Sequence, residues 1–223
     1  FWMMFQGTHG VDDQCRLQAV LDKRFGRDER ERLIKLHRDH WITDRDWDML
    51  PRFGLNLVRL PFIWSVLEDE TQPYKLRPDA WHYLDWAIHQ AEARGLYVIL
   101  DLHGAVGAQG KEHHSGCANQ NEYWTRPDYQ ARTAWLWQQI ALRYKDRSTV
   151  AGYSVLNEPW GSTEADMATA NKALYHAIRV VDDKHVVILQ GHFRGIGAYG
   201  GPPAAQGLHN VAYEMHFYPG HFG

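Results

Sequence analysis

The chain has 223 residues, 44% of them apolar and 23% charged, and its 24 basic and 27 acidic residues leave a net charge of −3. Those proportions belong to an ordinary globular protein and exclude disorder, collagen and fibrous repeats. No apolar run approaches the roughly 18 residues of a spanning helix, and no basic stripe faces nucleic acid or anionic lipid, so neither nucleic acid nor membrane is expected as a partner.

Phe1 to Phe5 reads as the end of a strand. Thr43 followed by Asp46 resembles a capping box, with Asp in place of the usual Glu, so a helix begins there and Gly54 closes it. Leu55 to Leu60 is the first clear strand. Pro78 opens a helix in which Trp81, Leu84, Ile88 and Ala91 recur at helical spacing, and Gly95 ends it. Leu96 to Leu102 is the second strand. Pro127 starts the next helix, with Leu136, Ile140 and Tyr144 on one side, and Ala151 to Leu156 follows as a strand. Met167, Leu174, Ile178 and Val181 mark a helix that feeds the strand His185 to Leu189. After a Gly/Pro-rich loop through Pro203, Val211 to Phe217 is the last strand. Strict alternation of strand and helix predicts parallel βαβ units. The fold class is therefore α/β: an incomplete (β/α)8 TIM-type barrel with about six of the eight strands that a closed barrel of about 250 residues contains. No linker or repeat divides it, so residues 1–223 are read as a single partial-barrel domain.

In parallel α/β architectures the working residues sit at the carboxyl ends of the strands. The first clear strand delivers Arg59 and Pro61 there, the second Asp101, His103 and Gly104, the third Asn157, Glu158 and Pro159, and the last Glu214, His216 and Tyr218. Singly, each has a structural alternative: Arg59 as an ion-pair partner, His103 as a satisfied core histidine, Glu158 as a charge at a helix N-terminus. Together they are too many polar groups for a core, where each unsatisfied one costs about 1 to 3 kcal/mol, so they are read as one site. Glu214, His216 and Tyr218 alternate along a strand and share a face, which leaves Met215 and Phe217 to face the helices. The 10 Trp, 11 Tyr and 8 Phe mostly fill the core and also supply flat faces suited to sugars.

Other features carry less. Cys15 and Cys117 exclude a disulfide-dense scaffold and an all-cysteine metal site, and whether they pair is left open. Phe1 stands where an initiator Met or a charged-then-apolar leader is absent, so the compartment is open as well: soluble, cytoplasmic or secreted. Glu112, His113 and His114 lie near His103, but their spacing matches no metal signature and 14 histidines make chance neighbours common, so no metal is expected. Gly195, Gly197, Gly200 and Gly201 precede no Lys-Ser/Thr pair and read as a mobile loop at the pocket rim. Cys117 lacks the context of a thiol nucleophile.

Val155-Leu156-Asn157-Glu158-Pro159-Trp160-Gly161 resembles the Asn-Glu-Pro signature of glycoside hydrolase family 5, a family of retaining (β/α)8 glycosidases. Leu57-Val58-Arg59-Leu60-Pro61, Leu100-Asp101-Leu102-His103-Gly104 and His216-Phe217-Tyr218 resemble its strand-two arginine, strand-three histidine and strand-six His-x-Tyr motifs, in family order. Glu31 to Glu68, and the loop from Gly104 to Gln109, look most like the β-glucosidase and exo-β-1,3-glucanase side of the family. The likeness runs from about Leu33 to Tyr218. It implies retaining hydrolysis of β-glucosides or short β-glucans without a cofactor, Glu158 acting as general acid and then base. It further implies that Asn157 binds the sugar 2-hydroxyl, that His103 contacts the sugar, and that Arg59, His216 and Tyr218 surround the second carboxylate.

A retaining glycosidase needs a nucleophile about 5 to 5.5 Å from the acid. In the family it is a glutamate on strand seven, and this sequence contains neither that strand nor strand eight. The nucleophile is thus unknown, with Glu214, Glu122 and Glu68 as local candidates. Glu214 lies roughly 7 Å further down its strand and is expected to support the site, not to attack. An open parallel sheet exposes edge groups and interior, so a homo-oligomer that covers the break is expected. The competing reading is a catalytically impaired carbohydrate-binding remnant of such an enzyme.

Overall fold

The computed structural model describes residues 10–191, 196–216 and 218. The strand expected at Phe1 to Phe5, along with Gly195 and Phe217, lies outside the described residues.

Two charged helices come first, α1 (Gln14–Phe25) and α2 (Arg27–Trp41), and the sequence pattern did not announce them. The buried stripe of α2 is Arg30, Ile34 and Arg38, at i, i+4 spacing. Two of its three members are charged, so apolar periodicity leaves no trace of it. Arg30 is tolerated because its guanidinium reaches Asp22 at 3.0 Å and Glu70 at 3.1 Å. The third helix, α3 (Asp44–Arg52), starts at Thr43, whose backbone N–H donates to Asp46 Oδ2 at 2.8 Å in the expected capping box.

From there β1 (Leu57–Ile63), α4 (His82–Glu92), β2 (Tyr97–Gly104), α5 (Pro127–Tyr144), β3 (Val150–Ser154), α6 (Glu164–Arg179), β4 (Val186–Gln190) and β5 (Val211–Glu214) alternate. Pro127 is the first residue of its helix, as anticipated. Pro78 does not open α4: tight turns from Ala80 N–H to Arg77 O and from His82 N–H to Asp79 O intervene, and the helix begins at His82. The last strand is shorter than expected, ending at Glu214. Met215, assigned to a helix-covered face, is instead 46% exposed.

The five strands among the described residues are all parallel, in the order β1-β2-β3-β4-β5. Each lies beside its neighbour in sequence with no reversal, which describes a sector of barrel wall and not a doubly wound sheet with a switch point. The crossover from β4 to β5 uses two short 3-10 helices, Ile196–Tyr199 and Pro203–Gln206. The stretch read as a mobile rim is anchored within them: the buried Tyr199 hydroxyl donates to Gln190 O at 2.9 Å, and its ring stacks on Tyr213 at 4.5 Å.

One set of alternating strand residues makes the core. Leu100 and Leu102 of β2, Tyr153 of β3, and Val187 and Leu189 of β4 are buried against Leu84, Leu136, Trp137, Leu174 and Ile178 of the helices. The Trp137 indole N–H donates to Val155 O at 3.0 Å and meets the Phe62 ring edge-on at 6.1 Å. The opposite set, toward the carboxyl ends, is polar. Cys15 and Cys117 are joined in a disulfide with Cα atoms 5.1 Å apart, which ties α1 to the loop after β2. Cys15 N–H also donates to Gly116 O at 3.1 Å, and Ala118 N–H to the buried Asp13 carboxylate at 3.0 Å.

Candidate active site

Arg59 leaves β1 and Asp101 and His103 leave β2 toward a common mouth. The Asp101 carboxylate, fully buried, accepts from Arg59 Nη2 at 2.9 Å and from His103 Nδ1 at 2.6 Å. A carboxylate only accepts, so the His103 proton sits on Nδ1. Burial pushes the His103 imidazole below its ordinary value despite that partner.

The chain after β3 turns both Asn157 and Glu158 into the mouth. Glu158 has φ +41°, in the left-handed region, which allows two consecutive side chains to line the same cavity where a continuing strand would separate them. Gln190, the last residue of β4, holds the turn by accepting the Glu158 N–H at 2.6 Å. The buried Gln109 side chain donates to His103 O and Asn157 O and accepts from Ala105 N–H, joining the loops after β2 and β3.

Both Glu158 oxygens are occupied. Oε1 accepts from His216 Nδ1 at 2.7 Å and faces the Tyr218 hydroxyl at 3.4 Å, while Oε2 lies 3.0 Å from His114 Nε2. The hydrogen bonds from His114 and His216 hold the Glu158 carboxyl far below the usual carboxylate range. His216 also donates from Nε2 to Glu214 Oε1 at 2.9 Å. An imidazole between two carboxylates keeps both protons, and His216 is raised to about 9 by Glu158 and then Glu214. Glu214 Oε2 accepts from Gln190 Nε2 at 3.0 Å and Ser154 Oγ at 3.1 Å, and Oε1 lies 3.4 Å from Arg59 Nε. Burial alone would raise the Glu214 carboxyl, but His216 and Arg59 outweigh it and lower it. Tyr218 is raised by the Glu158 charge.

The seven residues that the sequence assigns to the acid/base and its surroundings, Arg59, His103, Asn157, Glu158, Glu214, His216 and Tyr218, thus join one hydrogen-bonded cluster. The other candidate nucleophiles do not. Glu68 is fully buried in an ion pair with Arg132 at 3.1 Å, and Glu122 is exposed on a separate 3-10 turn. Sequence reasoning missed His114 and Gln190. The pair His113-His114 was weighed only as a metal cluster, and among the described residues no three His, Cys, Asp or Glu side chains are arranged to hold a metal ion. Gln190 extends β4 one residue beyond the expected Leu189, and a polar residue ending a buried strand was the signal for it.

A family model described as Cellulase (glycosyl hydrolase family 5) matches residues 33–223. A beta-xylosidase from Phanerodontia chrysosporium is 32% identical over 223 residues, covering 97% of this chain and 46% of that protein. A probable glucan 1,3-beta-glucosidase A from Aspergillus niger is 35% identical over 151 residues, covering 67% of this chain and 35% of that protein. The chain therefore spans about half the length, or less, of these curated relatives. Among solved structures, a rutinosidase from Aspergillus niger matches with a TM-score of 0.75 at 17% identity, over 94% of this chain and 62% of that one, a likeness of fold alone. With parallel strands in barrel order, the motif residues gathered at their carboxyl ends, and the family model covering most of the sequence, the chain belongs to glycosyl hydrolase family 5.

Proposed function

We propose that this chain carries the acid/base half of an active site that hydrolyses β-glucosides or short β-glucans by retaining double displacement. The observation that supports this reading best is Glu158, turned into the mouth beside Asn157 at φ +41° with both oxygens hydrogen-bonded. In the first step a protonated Glu158 gives its proton to the departing glycosidic oxygen as a carboxylate attacks the anomeric carbon. In the second, Glu158 as carboxylate takes a proton from the water that releases the sugar. As the site stands, Glu158 is poised for the second role. A second carboxylate placed nearby would raise it toward the first by like-charge repulsion. Asn157 and His103 are assigned to sugar hydroxyls, and Arg59, Glu214, His216 and Tyr218 to holding the charged groups in place.

The relatives' names, a glucan 1,3-beta-glucosidase and a beta-xylosidase, support a β-linked sugar substrate. No helix among the described residues is long and apolar enough to cross a membrane, and a disulfide persists in oxidising surroundings, which supports secretion for a protein carrying Cys15–Cys117. The test is hydrolysis of an aryl β-glucoside by the chain beside Glu158→Gln. We expect a loss of about 100- to 10,000-fold in kcat, the usual worth of a positioned acid/base. A second reading, a sugar-binding remnant without turnover, is favoured by the ionised state of Glu158 and the commitment of Glu214 to Ser154 and Gln190. Binding of glucose or cellobiose with no hydrolysis in either form would select it.

A further inference from the structure

The hydrogen-bond donors and acceptors of the cluster can be assigned one from the next. Arg59 carries only donors, so the Asn157 atom it meets at 2.8 Å is the carbonyl oxygen Oδ1, and the amide orientation follows. Asn157 Nδ2 then has two N–H groups to place, and two ring nitrogens face it: His103 Nε2 at 3.3 Å and His114 Nδ1 at 3.4 Å. A donor requires a lone pair opposite, so both ring nitrogens are unprotonated. For His103 the same answer comes independently from Asp101, which keeps the proton on Nδ1. For His114 it leaves one place for the proton of a neutral ring, Nε2, which points at Glu158 Oε2 from 3.0 Å.

We infer that His114 is a positioning residue of this site: Asn157 selects its tautomer, and its Nε2–H then locks the second oxygen of Glu158. The inference rests on the reading of Glu158 as the acid/base and names a residue, outside the family-like motifs, through which the adjacent Asn157 and Glu158 are coupled. The lock is two-sided because His216 Nδ1 holds Oε1 at 2.7 Å, so rotation of the carboxylate breaks one bond or the other. The loop that presents His114 is itself fixed. His114 lies in the 3-10 turn His113–Ser115, the Ser115 hydroxyl donates to Gly110 O at 2.9 Å, and the disulfide at Cys117 follows. The titratable and charged groups around the lock are Arg59 from β1, Asp101 and His103 from β2, His113 beside it in the loop, Glu214 from β5, and His216 and Tyr218 beyond that strand. A neutral donor on Oε2 favours the ionised carboxylate, so His114 sets how readily Glu158 takes up a proton.

The experiment needs no turnover. In the unmutated chain labelled with 15N-histidine, long-range proton–nitrogen correlation near neutral pH should show His114 protonated at Nε2 and bare at Nδ1. A proton on Nδ1, or on both nitrogens, overturns the inference. Carboxyl 13C titration of Glu158 gives the second arm. The Glu158 midpoint should lie low in the unmutated chain, and in His114→Ala it should rise by about one pH unit or more. The variant His114→Gln, which offers an amide N–H in place of Nε2–H, should restore most of the shift. An unmoved midpoint in a folded His114→Ala also overturns the inference, and should that variant not fold, the tautomer measurement on the unmutated chain decides alone. Absence of glucoside hydrolysis counts against the proposed function and leaves both arms readable.

Discussion

Glu158 stands at φ +41°, a conformation that costs a non-glycine residue on the order of 1 to 3 kcal/mol, and Gln190 and the two histidines are what hold it there. The charge balance around it has a pH signature. His216 is raised from 6.5 to about 9, so its contribution to stability is fully present below 6.5 and is lost as pH rises through about 9. Glu158 is depressed from 4.5, so its contribution is present above 4.5 and is lost on strong acidification. The pair therefore stabilises most between those two ordinary values. We expect the melting temperature, measured by calorimetry across pH, to decline from about pH 6.5 to 9, and His216→Phe to flatten that decline. A decline of equal slope in the variant would show that other groups carry it. At this scale the sequence disclosed Asn157 and Glu158, since a polar pair ending an apolar strand is conspicuous. It did not disclose His114, because nothing in two adjacent histidines says which one faces inward.

Helices and strands were legible where local chemistry acts alone. Thr43 with Asp46, and Pro127, mark their helices because caps and proline work within a single turn. Helix α2 was invisible because its buried stripe includes Arg30, whose burial depends on the distant carboxylate of Glu70, and Arg38, whose guanidinium lies over the Tyr83 ring. Pro78 misled because proline suits a type I turn as well as a first helical turn. The loops after β2 and β3 depend on one side chain, the fully buried Gln109, with three backbone partners. Gln109→Leu would strand buried backbone groups at about 1 to 3 kcal/mol each. We expect it to lower stability by at least about 2 kcal/mol in a urea titration and to weaken sugar binding. Full stability in this variant would show that water satisfies those groups.

Across the molecule, five parallel strands in unbroken barrel order leave β1 and β5 as edges among the described residues. Leu57, Tyr97 and Val186, at the amino ends of three strands, are exposed. Unpaired edges and uncovered apolar groups favour association, and we expect the chain to run as a homo-oligomer in light scattering at micromolar concentration. A well-folded monomer would remove that expectation. That the strands run parallel was legible from their strict alternation with helices, and their barrel order was implied by the family resemblance; the pairing of Cys15 with Cys117 was not legible, because only the packing of α1 against the loop after β2 brings them together.

That pairing closes a covalent ring of chain that contains β1, α4 and β2. Lys75 lies exposed within the ring, on the turn between β1 and α4. A protease that cuts after Lys75 therefore separates nothing: the two pieces remain one molecule, migrating as a single band without reductant and as two with it. Fragment analysis under reducing conditions alone would mistake a clipped but intact particle for a degraded one.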